Sequence, residues 1–229
     1  MDIWAAVYGA STWIIPVVTA VTLHEAAHGF AAYRLGDDTA FRMGRVTLNP
    51  LRHVDPVGTI LLPGMLLLAQ APFLFGYAKP VPVVFSRLNH PRIDMVWVAL
   101  AGPGMNIALA VVATLLFNFV SWLPGPQPAD WVAETLGNAL LINVVLAVFN
   151  MLPIPPLDGG RVAVGILPYA LARPLAMIEP HGIFIVLVLL LGLPWLGSFF
   201  GMNIDVFGWL VGPPAEALIE LIGRLGGLS

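Results

Sequence analysis

The stretch Ile14-Ile15-Pro16-Val17-Val18-Thr19-Ala20-Val21-Thr22-Leu23-His24-Glu25-Ala26-Ala27-His28 decides how this chain is read. It closes an apolar run that begins near Ile3. Side chains at i and i+4 lie about 40° apart around a helix, so the imidazoles of His24 and His28 project from one face. Two ring nitrogens on one face are half of a tetrahedral zinc site. Glu25, directly after the first histidine, is placed to act as general base toward a metal-bound water. Ionisable side chains in hydrocarbon are expensive and mark function there. The motif therefore predicts a membrane helix and a metal site on it.

Composition supports the membrane half of that reading. Of 229 residues, 59% are hydrophobic and only 10% charged, against about 25% charged in an ordinary soluble domain. Mean hydropathy is +0.88, more than one aqueous core can bury. Long apolar segments without sustained alternation predict helices rather than an outer-membrane barrel. The net charge of −3 and the lack of a basic block argue against a nucleic-acid partner. With no cysteine, neither disulfides nor thiolate ligands are available, so a metal must be held by His and carboxylate. Met1-Asp2-Ile3-Trp4 has no basic n-region, and the first apolar run is expected to be a retained helix.

In chain order, the first helix is expected over residues 3 to about 35, closed by Gly36. Phe41 to Leu48 is expected to form one or two short strands, ended by Asn49-Pro50. Residues 57–75 are apolar but contain Pro63 and Gly64, so they either cross briefly or re-enter. Lys79-Pro80-Val81-Pro82-Val83 has prolines two apart and reads as an extended loop or edge strand. Helices are expected over 92–122 and 131–152, with a loop at Pro124 to Pro128 between them. A short helix is expected over 161–172, and longer ones over about 175–196 and 206–225. No soluble domain is apparent. The expected fold is an all-α polytopic membrane protein forming one domain over 1–229. Five to six transmembrane helices surround a three-helix core (about 3–35, 92–122 and 131–161), with a small β or re-entrant region at about 41–85 and C-terminal helices at about 175–225.

The basic residues orient this array. The loop over 123–130 has none of the ten. Placing the N-terminus outside puts all ten on the cytoplasmic side, if 57–75 or the loop after it returns there. His24 and His28 then lie near the cytoplasmic end of the first helix. Asp158, after the end of the 131–152 helix, arrives at the same depth. Two imidazoles and one carboxylate leave a fourth position open, the pattern of catalytic rather than structural zinc. Asn150, eight residues before Asp158, offers an amide for a developing oxyanion or for orienting a substrate.

The His24-Glu25-Ala26-Ala27-His28 helix, together with Phe149-Asn150-Met151-Leu152-Pro153-Ile154-Pro155-Pro156-Leu157-Asp158-Gly159-Gly160-Arg161, resembles the site-2 protease family of intramembrane zinc metalloproteases. Asn49 to Thr59, Gly76 to Val83 and Ala101-Gly102-Pro103-Gly104-Met105-Asn106 resemble its small bacterial branch, which lacks PDZ or CBS domains. The resemblance implies one zinc ion per chain on His24, His28 and Asp158, with Glu25 catalytic. It implies a substrate-guiding role for Asn150 and for Lys79, Pro80, Val81, Pro82 and Val83. It also implies a bacterial cytoplasmic membrane location, and substrates that are single-span membrane proteins or signal-peptide remnants within the bilayer. A homo-oligomer is compatible with it.

Blander readings stand beside these. The His–Glu–His set would also suit an intramembrane ion transporter, and Asp158 could cap the helix that starts near Gly159. Asn150 could bond a neighbouring helix. Gly102 and Asn106 are read as close helix packing, His53 as a surface or supporting residue, and Asp55 as a cap for the segment starting near Val57. A peptide bond inside a helix is shielded by its own turn, so hydrolysis needs an unwound substrate. The proline-punctuated edge over Pro80 to Val83 is expected to pair with such a strand.

Overall fold

The computed structural model describes residues 3–61, 65 and 78–227. The long apolar runs become helices because a backbone in hydrocarbon must satisfy its own hydrogen bonds. We number them α1 (Ile3–Arg34), α2 (Pro91–Phe117), α3 (Pro126–Asn150), α4 (Asp158–Ile166), α5 (Tyr169–Phe199, a broken helix) and α6 (Val206–Leu225). All but the short α4 are long and apolar enough to cross a membrane. The chain is a multi-pass, all-α membrane protein.

Helices α1, α2 and α3 pack on one another as the central bundle, and α4 lies against α2. Helix α6 closes the outer side of α3. There Ala110, Val144, Val211, Ala215 and Ile222 form a buried apolar cluster. A second cluster, Ala32, Leu88 and Val98, ties α1 and α2 to the segment that precedes α2.

Helix ends follow local chemistry. Arg34 ends α1, and Gly36 follows with φ +110, a conformation that costs glycine little. Helix α3 begins at Pro126, five residues earlier than composition suggests. Pro126 and Pro128 fall in its first turn, where helix N–H groups have no partner to lose, so the proline-rich run starts the helix instead of forming a loop. Helix α4 begins at Asp158 and stops at Ile166 because Pro168 cannot continue it, and a new helix starts at Tyr169. Helix α5 is interrupted by a 3₁₀ turn at Glu179–His181 and a π segment at Val188–Gly192.

The β expectation for residues 41–48 is corrected. Thr39–Arg42 is a helical turn, with the Thr39 N–H and hydroxyl donating to the Asp37 carboxylate. The following turn places Gly44 at φ +63, and Arg45 N–H donates to Ala40 C=O at 2.9 Å. Among the described residues there is no strand. Asp55 does cap the next segment, accepting from the N–H groups of Val57 and Gly58. Most of 57–75, with the question of whether it crosses or re-enters, lies outside the described residues.

Candidate metal centre and its cavity

His24, His28 and Asp158 come together from α1 and the first residue of α4, and all three are buried. The two Nε2 atoms are 3.0 Å apart, and each is 3.3 Å from Asp158 Oδ2. Ligands 2.0–2.2 Å from a tetrahedral zinc stand roughly 3.3–3.6 Å from one another, so the two sides to Asp158 match such an ion and the 3.0 Å side between the rings is slightly short of it. Asp158 Oδ2 is buried and has no hydrogen-bond donor, as expected of an atom kept for a cation.

The far side of each ring fixes its tautomer. His28 Nδ1 lies 2.7 Å from the Val98 carbonyl, which can only accept. His24 Nδ1 lies 2.5 Å from Asn106 Oδ1. Asn106 is itself oriented, since its Nδ2 donates to Ala20 C=O at 3.3 Å and to Asn143 Oδ1 at 2.8 Å. Both Nδ1 atoms therefore carry the proton, and both Nε2 lone pairs face the point shared with Asp158.

Glycines make the space. A Cβ at Gly102 would sit 2.3 Å from His28 Nε2 and 2.6 Å from His24 Nε2. A Cβ at Gly159 would meet Met151 C=O at 2.1 Å, and one at Gly160 would meet Pro155 N at 2.2 Å. The Asp158-Gly159-Gly160 start of α4 can thus press against the 151–155 turn and carry its carboxylate to the histidines. Asp158 is the first residue of α4 and Leu157 its cap position, so the capping alternative does not hold.

A cavity of about 350 Å³ opens on this point. Val21 and Glu25 on α1, Leu146 and Asn150 on α3, Arg161 on α4 and Val186 on α5 are among its lining residues. Asn150 faces the cavity while donating to Leu146 C=O on its own helix at 3.0 Å. The segment 79–84 forms the facing wall as an extended strap, with Pro80, Val81 and Val83 in the lining; Lys79 and Pro82 are not in it. Lys79 N–H donates to His53 C=O, Val81 N–H to Glu25 Oε2 at 2.8 Å, and Val84 N–H to Asp37 Oδ2 at 2.6 Å. The edge over Pro80 to Val83 expected to accept a substrate strand therefore already has its Val81 amide engaged, and the amides of Lys79 and Val84 on either side are engaged too. His53 is buried, not on the surface, and its Nε2 contacts Thr47 C=O. It is not in the metal-binding group.

Two supporting roles were hidden at the sequence level. Asn106 and Gly102 read as packing residues, yet one orients His24 and the other leaves room for both rings. The only signal was their spacing of four on one helix. Glu25 was legible, but its bond to Val81 was not.

Residues 125–193 match the family model described as Peptidase family M50. The chain is 37% identical over 189 residues to "Putative zinc metalloprotease YwhC" of Bacillus subtilis (strain 168), covering 81% of this chain and 82% of that protein. It is 32% identical over 190 residues to "Putative zinc metalloprotease Rip2" of Mycobacterium tuberculosis (strain ATCC 25618 / H37Rv), covering 83% and 69%. A shorter stretch of 65 residues is 45% identical to "Putative zinc metalloprotease MJ0611" of Methanocaldococcus jannaschii. No solved structure matches the chain. With the first of these relatives covered over most of its length, and a carboxylate–dihistidine centre built inside a bundle of apolar helices, the chain belongs to the M50 family of metalloproteases.

Proposed function

We propose that this protein is an intramembrane zinc metalloprotease that hydrolyses peptide bonds in or near transmembrane segments of other membrane proteins. The observation that carries the reading is the convergence of His24, His28 and Asp158 at one buried point, on a cavity that Glu25 also lines, within membrane-type helices. The names of the relatives make zinc the expected ion, and the two imidazoles and one carboxylate suit it.

Zinc held there would supply a Lewis acid that lowers the pKa of water toward ~7 and polarises a peptide carbonyl. The chain's own residues do the rest. Glu25 takes the proton from the attacking water at a carboxylate oxygen and returns it to the leaving amine nitrogen. Asn150, at the end of α3, can turn its amide toward the carbonyl oxygen as charge develops there. Pro80, Val81 and Val83 guide an unwound substrate segment along the wall beside Glu25, with Lys79 and Pro82 shaping the strap. The apolar remainder of the cavity limits bulk water.

In this reading the N-terminus of α1 faces outside and the centre lies toward the cytoplasmic side of a bacterial inner membrane. The basic residues support that orientation: the turn between α2 and α3 has none, whereas Arg34, Arg42, Arg52 and Arg87 lie at the other end of the bundle. Substrates are single-span membrane proteins or signal-peptide remnants.

The test uses detergent-purified protein, single-span candidate substrates and a chelator, with Glu25→Gln as the key variant. Glu25→Gln is expected to keep its zinc while losing at least roughly 10²-fold in cleavage. Chelation is expected to abolish cleavage, and added zinc to restore it. Cleavage that persists in Glu25→Gln overturns the mechanism. Zinc flux into proteoliposomes that ignores this substitution would make the protein a transporter instead.

A further inference from the structure

One peptide unit in the strap is gripped at both ends. The Pro80 carbonyl accepts from Arg45 Nη2 at 3.3 Å, and the Lys79 carbonyl accepts from the same nitrogen at 2.7 Å. The N–H at the other end of the Pro80–Val81 peptide donates to Glu25 Oε2 at 2.8 Å. Prolines have no N–H, so over residues 80–82 the Val81 amide is the only main-chain donor. Its direction decides what the strap can offer Glu25.

Arg45 is in an unusual place for a cation. It is 8% exposed, and among the described residues no carboxylate lies within ion-pair distance of it. Its Nε is buried without a partner. A buried guanidinium that meets carbonyls and, among the described residues, no carboxylate is costly, and such a cost points to a task. The Pro80–Val81 peptide is trans, the cis bond among the described residues being Pro155–Pro156. Its C=O and N–H therefore point in opposite directions, with a guanidinium at the oxygen and a carboxylate at the hydrogen. A cation on the carbonyl polarises the amide and strengthens its N–H as a donor.

We propose that Arg45 is a positioning residue for Glu25, acting through the Pro80–Val81 peptide. It fixes the strap so that the Val81 N–H holds one carboxylate oxygen of Glu25 and leaves the other directed into the cavity. The proposal rests on the reading of Glu25 as general base. Arg45 lies 20 residues beyond Glu25 in the chain, on a turn, and belongs to neither the metal centre nor the cavity lining.

The test pairs kinetics with a measurement that needs no catalysis. In the full-length, zinc-loaded protein, Arg45→Gln is expected to lower kcat by about 10–100-fold, the scale of a displaced catalytic group. KM should stay within about twofold, and zinc content should be unchanged. A single nitrogen makes both Arg45 contacts, so Arg45→Lys is expected to recover most of the lost kcat. Replacing Val81 by α-hydroxyvaline, which removes only the N–H, should reproduce the Arg45→Gln loss. Combining the two should cost no more than either alone. For the independent readout, Val81→Cys places one thiol in a chain that has no cysteine. Maleimide labelling of that buried site should be at least tenfold faster when Arg45 is also replaced by Gln.

An unchanged labelling rate, an unchanged kcat in Arg45→Gln, additive losses in the combined variant, or loss of zinc in Arg45→Gln each overturns the proposal. If the parent protein cleaves nothing, the protease reading fails. The labelling rates then still show whether Arg45 holds the strap.

Discussion

His24, His28 and Asp158 reach their meeting point as side chains on helices, and both histidine rings are steadied by partners on α2. The strap that faces them across the cavity is built the other way round. There the main chain is the part being held, and the holders are side chains from elsewhere in the chain: Arg45 on the carbonyls of Lys79 and Pro80, Glu25 of α1 on the Val81 amide and Asp37 on the Val84 amide. Helix-borne side chains give a fixed geometry suited to an ion with strict angles. A main chain tethered at a few polar points can be released and re-engaged, which suits the guiding role proposed for this wall.

The sharpest way to break the comparison is to disturb the rigid side. Gly102→Ala would put a methyl group 2.3 Å from His28 Nε2. It is expected to lose both zinc and cleavage almost completely while the protein stays monodisperse in detergent. Metal content by mass spectrometry is the check, and a fully zinc-loaded Gly102→Ala protein would show that the rings have room to spare. Asn106→Ala removes the partner of His24 Nδ1 but no ligand. It is expected to weaken zinc about 10–100-fold, as losses behind a metal-bound histidine commonly do, measured by competition with a chelator of known affinity.

On the tethered side the effects should be smaller and pH-dependent. Burial alone would raise the Asp37 carboxyl pKa. The Thr39 hydroxyl, the N–H groups of Val84 and Thr39 and the charge of Arg87 outweigh it and hold the group below its usual value. A depressed carboxylate pKa stabilises the folded state fully above the unfolded value of 3.8. That contribution is lost as pH falls from there through the folded value. Asp37→Asn is therefore expected to cost about 1–3 kcal/mol near neutral pH, and less as pH falls below 4. Detergent thermal unfolding at pH 7 and pH 3 measures both. An equal loss at the two pH values would show that the charge of Asp37 does not matter.

The least effect is expected from Arg161→Gln. Arg161 pairs with Glu179 at 3.1 Å and sits over the Phe85 ring at 5.6 Å, but both charged side chains are about one-third exposed. Such a pair contributes about 0–1 kcal/mol. Cleavage and unfolding temperature should barely move, and a large loss would mean that Arg161 touches the substrate.

The same contrast explains what was legible in the sequence. A helical motif declares itself through spacing, so His24, Glu25 and His28 were visible at once. Asp158 followed from charge-based topology, because helix ends at equal depth can meet. The helical spans were visible because hydrocarbon burial leaves a compositional mark over twenty residues. Main-chain bonds to side chains leave no such mark. Nothing in Arg45, Asp37 or Pro80 announces a shared wall, and strand-like residues at 41–48 formed turns once Asp37 and Gly44 set the local backbone. The proline run at 124–128 misled for a related reason, since proline breaks a helix inside but suits its first turn.

The Asn106–Asn143 contact has a consequence for the bundle as a whole. Asn106 on α2 bonds His24 and Ala20 on α1, and also Asn143 on α3. Neither amide ionises, so this link across three helices holds at any pH the cell reaches. It also acts as a key in a lock. Sliding any of the three helices by one turn, about 5.4 Å, would strand amides in an apolar interior. Apolar faces alone tolerate many sliding positions; these two asparagines leave the bundle one, and it is the position in which both histidines face the aspartate.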